Sequence, residues 1–121
     1  MNYLFVSLGA AVGGVSRYWL SNVIHKFLPS FFPFGTLFVN ILGSFLLGFF
    51  IFYFDERELL SQPVKLFLTI GFCGGFTTFS TFGFESIKLF LDSEFLLAAA
   101  YILASVFLSI LGLYLAYIFS R

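Results

Sequence analysis

The chain alternates long apolar stretches with short polar joints. A membrane-crossing helix takes about 20 mostly apolar residues, and four stretches reach that length. They cover residues 3–24, 34–54, 64–91 and 95–119. The joints between them read HKFLPSFFP, DERELLSQP and LDSE, and each is polar or carries proline. The pattern predicts an all-α membrane protein, a single domain over residues 1–121 with four transmembrane helices and no soluble part.

The third stretch contains a segment, GFCGGFTTFSTF at residues 71–82, that is unlike a continuous membrane helix. Its adjacent glycines have low helix propensity, and its hydroxyl side chains compete for backbone hydrogen bonds. We therefore expect the third helix to be broken at Gly74–Thr78. Non-helical backbone at membrane depth is tolerated only inside protein or beside a polar cavity, and it leaves carbonyls and amides free to face ions.

Polar side chains form stripes on the second and fourth helices. Residues four apart lie on one face of a helix. The stripe of the second helix consists of Thr36, Asn40, Ser44 and Gly48, and that of the fourth helix of Tyr101, Ser105 and Ser109. Taken singly, each stripe is also explained by hydrogen bonds between helices or back to the helix's own backbone.

The first helix combines small residues with a charge. Gly9 and Gly13, like Ala10 and Gly14, are four residues apart and predict close approach of another helix. Arg17 follows them, and it either reaches the interface or a neighbouring helix end, or contacts a permeating anion.

Composition agrees with a membrane location, since 60% of the residues are hydrophobic and 10% are charged. The net charge is zero, so nothing favours binding to nucleic acid. The single cysteine excludes an internal disulfide and a CxxC-type metal site.

The orientation in the membrane depends on the positive charges near the helix ends. With four crossings, one side of the membrane would carry Arg57, Lys65 and Arg121, and the other side would carry Lys26 and Lys88. This small excess does not fix an orientation, so insertion both ways round is compatible with the sequence.

The chemistry of the stripes favours a small anion. They offer an amide, several hydroxyls and the positive edges of phenyl rings at Phe76, Phe79 and Phe82, although ordinary packing also accounts for a row of phenylalanines. Neutral donors replace a hydration shell and still release the ion, whereas a fixed cation would hold it. Glu85, beyond the expected break, is a candidate proton carrier or an acid paired with Lys88.

Three motifs, in this order, resemble the Fluc family of fluoride channels, also called CrcB. They are GGVSRYW in the first helix, FGTLFVNILGSFLLG in the second and GFCGGFTTFSTF in the third. The resemblance implies a passive channel that exports fluoride from the cell through a bacterial-type inner membrane and catalyses no reaction. It also implies an antiparallel, dual-topology homodimer with two pores, whose partners are fluoride, a second copy of the chain and the lipid bilayer.

The resemblance also implies roles for particular residues. A structural sodium ion at the dimer centre would be held by the backbone carbonyls of Gly74 and Thr77 from both subunits. The pore phenylalanines correspond to Phe79 and Phe82, and the pore asparagine to Asn40. A hydroxyl track maps onto Thr78 or Thr81 and onto Tyr101, Ser105 and Ser109. Arg17 and Glu85 match the family's arginine and acid and are expected to serve the vestibule or the structure.

Two other functions remain open from the residues alone. A proton-coupled small-solute exporter of four-span, dual-topology type needs a deep carboxylate in its first helix. This first helix has none, so Glu85 would have to serve. Alternatively, the chain is a membrane assembly subunit in which the stripes are helix interfaces only.

Overall fold

The computed structural model describes residues 1–121 and consists of helices joined by short turns. Helix α1 is Asn2–Phe27, and α2 is Phe34–Asp55, whose last six residues are π-helical. Helix α3, residues 62–76, begins as an α-helix, is π-helical over Phe67–Cys73 and ends with the turn Gly74–Phe76. Helix α4 is Ser80–Leu91 and α5 is Phe95–Phe119. The predicted apolar stretches coincide with these helices.

Three of the helical stretches are long and apolar enough to cross a membrane. They are Phe34–Asp55, Gln62–Leu91 and Phe95–Phe119. Helix α1 has the necessary length, 26 residues, but it is less apolar because it contains Arg17 and several glycines and serines. Length and composition therefore identify three spans where the sequence pattern predicted four.

Helix α1 packs on α3 through its glycines. Gly9 and Gly13 are buried, and a Cβ atom at either would collide with the backbone carbonyl of Phe67 or Phe72. The predicted close approach is thus confirmed for these two glycines. Gly14 faces open space. The approach brings the α1 backbone against the π-helical part of α3, which supports the irregular segment from one side.

One end of the molecule is tied together by Arg57, which lies in the turn after α2. Its guanidinium donates to the carbonyls of Phe52 and Tyr53 near the end of α2 and to Ser120 O at the end of α5. The last carbonyls of a helix lack partners within the helix. Arg57 therefore caps two helix ends at once.

The helix break lies later than predicted. The expected position was Gly74–Thr78, but Gly74–Phe76 is helical and the non-helical residues are 77–79. Thr77 is the first extended residue, with φ −87° and ψ 159°. Gly75 has another role, since a Cβ atom there would lie 2.6 Å from Ala10 O. The absence of a side chain at Gly75 permits packing against α1, and the turn itself is made by the threonines.

Candidate functional site

Asn40 bonds to the backbone at the centre of the break. Its Oδ1 accepts the N–H of Thr78 at 2.8 Å, and its Nδ2 donates to Thr78 O at 3.0 Å. A break in a membrane helix leaves such groups without partners, and each must be satisfied inside the protein. The asparagine on α2 thus replaces the missing helical bonds of α3. Nδ2 carries a second hydrogen, so one donor remains for another acceptor.

Two backbone carbonyls at the break lack the N–H donors that they would have in a continuous helix. In a continuous helix the N–H of Thr78 would bond to Gly74 O, but here it donates to Asn40. The N–H of Thr81 would bond to Thr77 O, but it donates to the Thr78 hydroxyl at 3.2 Å. The carbonyls of Gly74 and Thr77, which the resemblance assigns to a sodium site, are therefore free of these bonds. Gly74 is also exposed on the subunit surface.

Arg17 reaches the same region from α1. Its Nε donates to Gly75 O at 3.1 Å, and the side chain is half-buried. This carbonyl lies in the last turn of α3, where a positive charge also complements the negative end of the helix dipole. The geometry matches the expected contact with a neighbouring helix end, and the other guanidinium nitrogens remain available.

A cavity of about 690 Å³ extends from the break along α2, α3 and α5. It brings together eight of the residues expected at ion sites. They are Asn40, Gly74, Thr77, Thr78, Phe79, Phe82, Ser105 and Ser109. Ser44 of the polar stripe on α2 also lines it. The stripes of the second and fourth helices and the broken segment therefore face one another across a common space.

Ser105 is a residue of this cavity whose hydroxyl is both buried and without a partner. Its residue is 6% exposed, and its Oγ has no hydrogen-bond partner in the protein. A buried hydroxyl without a partner costs free energy, so such groups commonly meet water or an ion. Ser105 is thus a residue of the cavity wall whose buried hydroxyl is a donor that no group of the subunit engages.

The aromatic residues form a connected row beside the cavity. The rings of Phe79 and Phe82 are 5.6 Å apart between centroids, and Phe82 lies 5.2 Å from Tyr101. Phe79 is 82% exposed, so its ring stands at the edge of the subunit. Tyr101 is fully buried and does not line the cavity, in contrast to its expected place in the hydroxyl track.

Tyr101 instead binds Glu85, because its hydroxyl donates to Glu85 Oε1 at 2.9 Å. The ion pair considered between Glu85 and Lys88 is not formed. The one salt bridge of the structure joins Lys65 and Asp55 at 3.0 Å.

Glu85 and Thr81 belong to a second cavity of about 490 Å³, whose wall also includes His25, Lys88 and Asp92. Thr81 is thus separated from the first cavity, which its neighbour Phe82 lines.

Some residues of the first cavity escaped the sequence patterns. Lys65 and Thr69 on α3 line it, and Lys65 pairs with Asp55 at the end of α2. Helical spacing gives no signal for this pair, because its members flank the joint between two helices. Thr69 lies four residues after Lys65 and donates to its carbonyl at 2.7 Å, a spacing that was available in the sequence.

The chain is similar in sequence to a known family and to named bacterial proteins. The family model described as CrcB-like protein, Camphor Resistance (CrcB), matches residues 4–117. A protein of Magnetococcus marinus named fluoride-specific ion channel FluC is 40% identical over 121 residues, covering 100% of this chain and 98% of its own. The protein of the same name from Granulibacter bethesdensis is 46% identical over 116 residues, covering 96% and 91%. That of Geobacter sulfurreducens is 46% identical over 109 residues, covering 90% and 88%.

These matches extend over nearly all of the chain, including the helix break and both polar stripes. Together with the spans, the bacterial relatives identify a multi-pass protein of the cell's inner membrane. Both the family model and the relatives agree with the resemblance carried by the three sequence motifs, and the chain belongs to the CrcB family.

Proposed function

We propose that the protein is a passive, fluoride-selective ion channel that lets cytoplasmic fluoride leave the cell. The relatives named fluoride-specific ion channel FluC support the ion and the mode of transport. In this function no reaction is catalysed. The residues add the chemistry, because a small anion that accepts strong hydrogen bonds suits a lining of neutral donors.

The observation that carries the proposal is the first cavity. A buried, unpartnered hydroxyl at Ser105, the amide of Asn40 and the rings of Phe79 and Phe82 line the same space. The hydroxyl and the second Nδ2 hydrogen offer donors to an anion, and phenyl edges carry partial positive charge. Ser109 and Thr78 extend the donors along the cavity. Lys65 also lines the cavity, where it is already paired with Asp55.

The working unit in this proposal is an antiparallel homodimer with two pores. Phe79 lines the cavity yet remains 82% exposed, and Gly74 is exposed beside it. A second subunit packed on this face would cover the ring and complete the cavity wall. The small difference in lysine and arginine between the two ends of the helices, three residues against two, is compatible with insertion of the two subunits in opposite orientations.

A structural sodium ion at the dimer centre fits the same face. Backbone carbonyls are suitable ligands for a hard cation, and unwound carbonyls hold sodium in other broken membrane helices. Gly74 and Thr77 offer oxygens whose helical donors are engaged elsewhere. A two-fold axis would bring both carbonyls of each subunit together with those of its partner. The ion would fix the two broken helices against each other, and it takes no part in moving the anion.

Fluoride efflux from liposomes tests the function. Purified protein is reconstituted in vesicles loaded with potassium fluoride, and release is followed with a fluoride electrode after valinomycin is added to carry potassium. A channel releases fluoride rapidly without any proton gradient. Release that requires proton countertransport would instead indicate an exporter, with Glu85 as its carboxylate. The absence of release from a verified dimer would indicate an assembly subunit.

A further inference from the structure

His25, near the end of α1, caps the beginning of α2. Its Nε2 accepts the backbone N–H of Gly35 at 3.1 Å. Gly35 is the second residue of α2 and is buried, and the first N–H groups of a helix have no partner within the helix. The residue before α2 is Pro33, and no side chain of the joint caps the helix. The histidine therefore supplies a bond that α2 itself lacks.

The contact is tight as well as hydrogen-bonded. A Cβ atom at Gly35 would collide with the Ser21 hydroxyl and would lie 3.0 Å from two atoms of the His25 ring. A side chain at position 35 would displace the Ser21 hydroxyl and crowd the His25 ring. The glycine thus brings the two helices close enough for the imidazole to reach the backbone.

This geometry requires the neutral ring. A nitrogen that accepts a hydrogen bond carries no proton, so the proton of neutral His25 is on Nδ1. Nδ1 is buried and has no partner. A protonated ring would turn a second N–H towards the N–H of Gly35, and it would place a positive charge at the positive end of the α2 dipole. Charged imidazole and the α2 cap are therefore incompatible.

The charged groups around His25 come from two helices. On α4, Glu85, Lys88 and Asp92 line the second cavity together with His25. On α1, Lys26 follows it, and the start of α2, FGTLFVN, contains no ionisable side chain. The bond to Gly35 is the specific contact that depends on the protonation of His25 alone.

We infer that neutral His25 is a positioning residue for the ion pathway, which it serves by holding α2 in register with the helix break. Gly35 precedes Asn40 by five residues, about 7.5 Å along a helix, and Asn40 bonds to Thr78 in the break. When His25 is protonated, the start of α2 is released and the grip of Asn40 on the break weakens. Conduction then falls. The effect on transport rests on the proposed function, whereas the effect on the fold does not.

Two substitutions separate protonation from simple loss of packing. The substitution His25→Gln places an amide oxygen near the position of Nε2, so the new side chain still accepts from Gly35, and it does not titrate. His25→Ala removes the acceptor at every pH. Glu85, Lys88 and Asp92 remain in both variants, so any pH response that comes from them is retained.

The first measurement is fluoride efflux at about pH 7.5 and about pH 5.5, the range over which histidines ordinarily change charge, with the same pH on both sides. Protein-free vesicles correct for passage of the neutral acid. We expect wild-type flux to fall several-fold at the lower pH, His25→Gln to keep its flux at both, and His25→Ala to be low at both. Equal pH dependence in wild type and His25→Gln would overturn the inference.

The second measurement is thermal unfolding of the purified protein in detergent at the same two pH values, which needs no transport. The midpoint of wild type should drop more on acidification than that of His25→Gln. Equal drops would contradict the role of His25 even in a conducting protein. If wild type carried no fluoride at any pH, the proposed function would fail, and the unfolding comparison would still decide whether His25 holds α2.

Discussion

Asn40 makes two hydrogen bonds to a single residue, Thr78, at 2.8 and 3.0 Å. They join α2 to the break between α3 and α4. One side chain thereby satisfies both backbone groups of a residue that has left the helix. The same asparagine lines the cavity through which we propose that fluoride passes. Stability of the break and conduction are coupled at this position.

Replacing Asn40 tests that coupling. Asn40→Ala leaves the part-buried N–H and carbonyl of Thr78 without protein partners, and an unsatisfied group costs up to about 1–3 kcal/mol when it is fully buried. We expect a lower unfolding midpoint together with strongly reduced fluoride efflux. Asn40→Asp keeps the acceptor for Thr78 N–H, loses the donor and, when ionised, adds a negative charge, so efflux should fall in this variant as well. Wild-type efflux from both variants would show that the amide donor is not used.

Ser105 offers a cleaner separation of stability from function. Its hydroxyl is buried and unpartnered, so Ser105→Ala removes an unsatisfied group and should leave stability unchanged or slightly higher. Fluoride efflux should nevertheless fall, since the cavity loses a free donor. Ser86 is the control: it is also buried, but its hydroxyl already bonds to Phe82 O at 2.8 Å. Ser86→Ala should conduct as wild type does, and equal loss in both variants would argue against a specific role for Ser105.

Replacing Phe79 or Phe82 with isoleucine tests whether the phenyl rings take part in conduction. The substitution keeps an apolar side chain but removes the aromatic edge, so fluoride flux should be cut while the dimer still assembles. Phe82 also packs against Tyr101, so its replacement should lower the stability of the subunit. Phe79 is exposed, so its replacement should change the stability of the isolated subunit little. Size-exclusion chromatography checks assembly. Undiminished flux in both variants would remove the rings from the mechanism.

Sodium removal tests the carbonyls of Gly74 and Thr77. If a sodium ion joins the two broken helices, exhaustive removal of sodium from the protein and from the buffers of the potassium fluoride vesicles should slow fluoride efflux, and re-addition of sodium should restore it. Potassium on its own is the comparison, because a site built for the smaller ion should not be rescued by it. Efflux that is indifferent to sodium would count against the assignment of these two carbonyls.

The sequence predicts the elements better than it predicts their contacts. Apolar length located the helices, and four-residue spacing correctly put Asn40, Ser105 and Ser109 on faces that meet in one cavity. The break was placed too early because glycine pairs serve two purposes, and Gly75 is used for close packing against Ala10. Helical spacing says which residues share a face, but it does not say which neighbour a side chain meets.

The contacts of Tyr101 and His25 illustrate that limit. Tyr101 shares a helix face with Ser105, yet it does not line the cavity, and its hydroxyl donates to Glu85 instead. His25 lies at the end of α1 without any motif around it, and its bond to Gly35 depends on how the joint between α1 and α2 folds back. Such contacts arise from the way separate helices pack. Local periodicity therefore carries no information about them.

The most direct test of the central claim is the relative efflux of fluoride and chloride from the same proteoliposomes. Valinomycin makes vesicles that contain both anions permeable to potassium, with equal pH inside and outside. The release of each anion is followed with its own electrode. A fluoride-selective channel empties the vesicles of fluoride rapidly and leaves chloride behind. Release of both anions together, or of neither beyond protein-free vesicles, would contradict the proposed function.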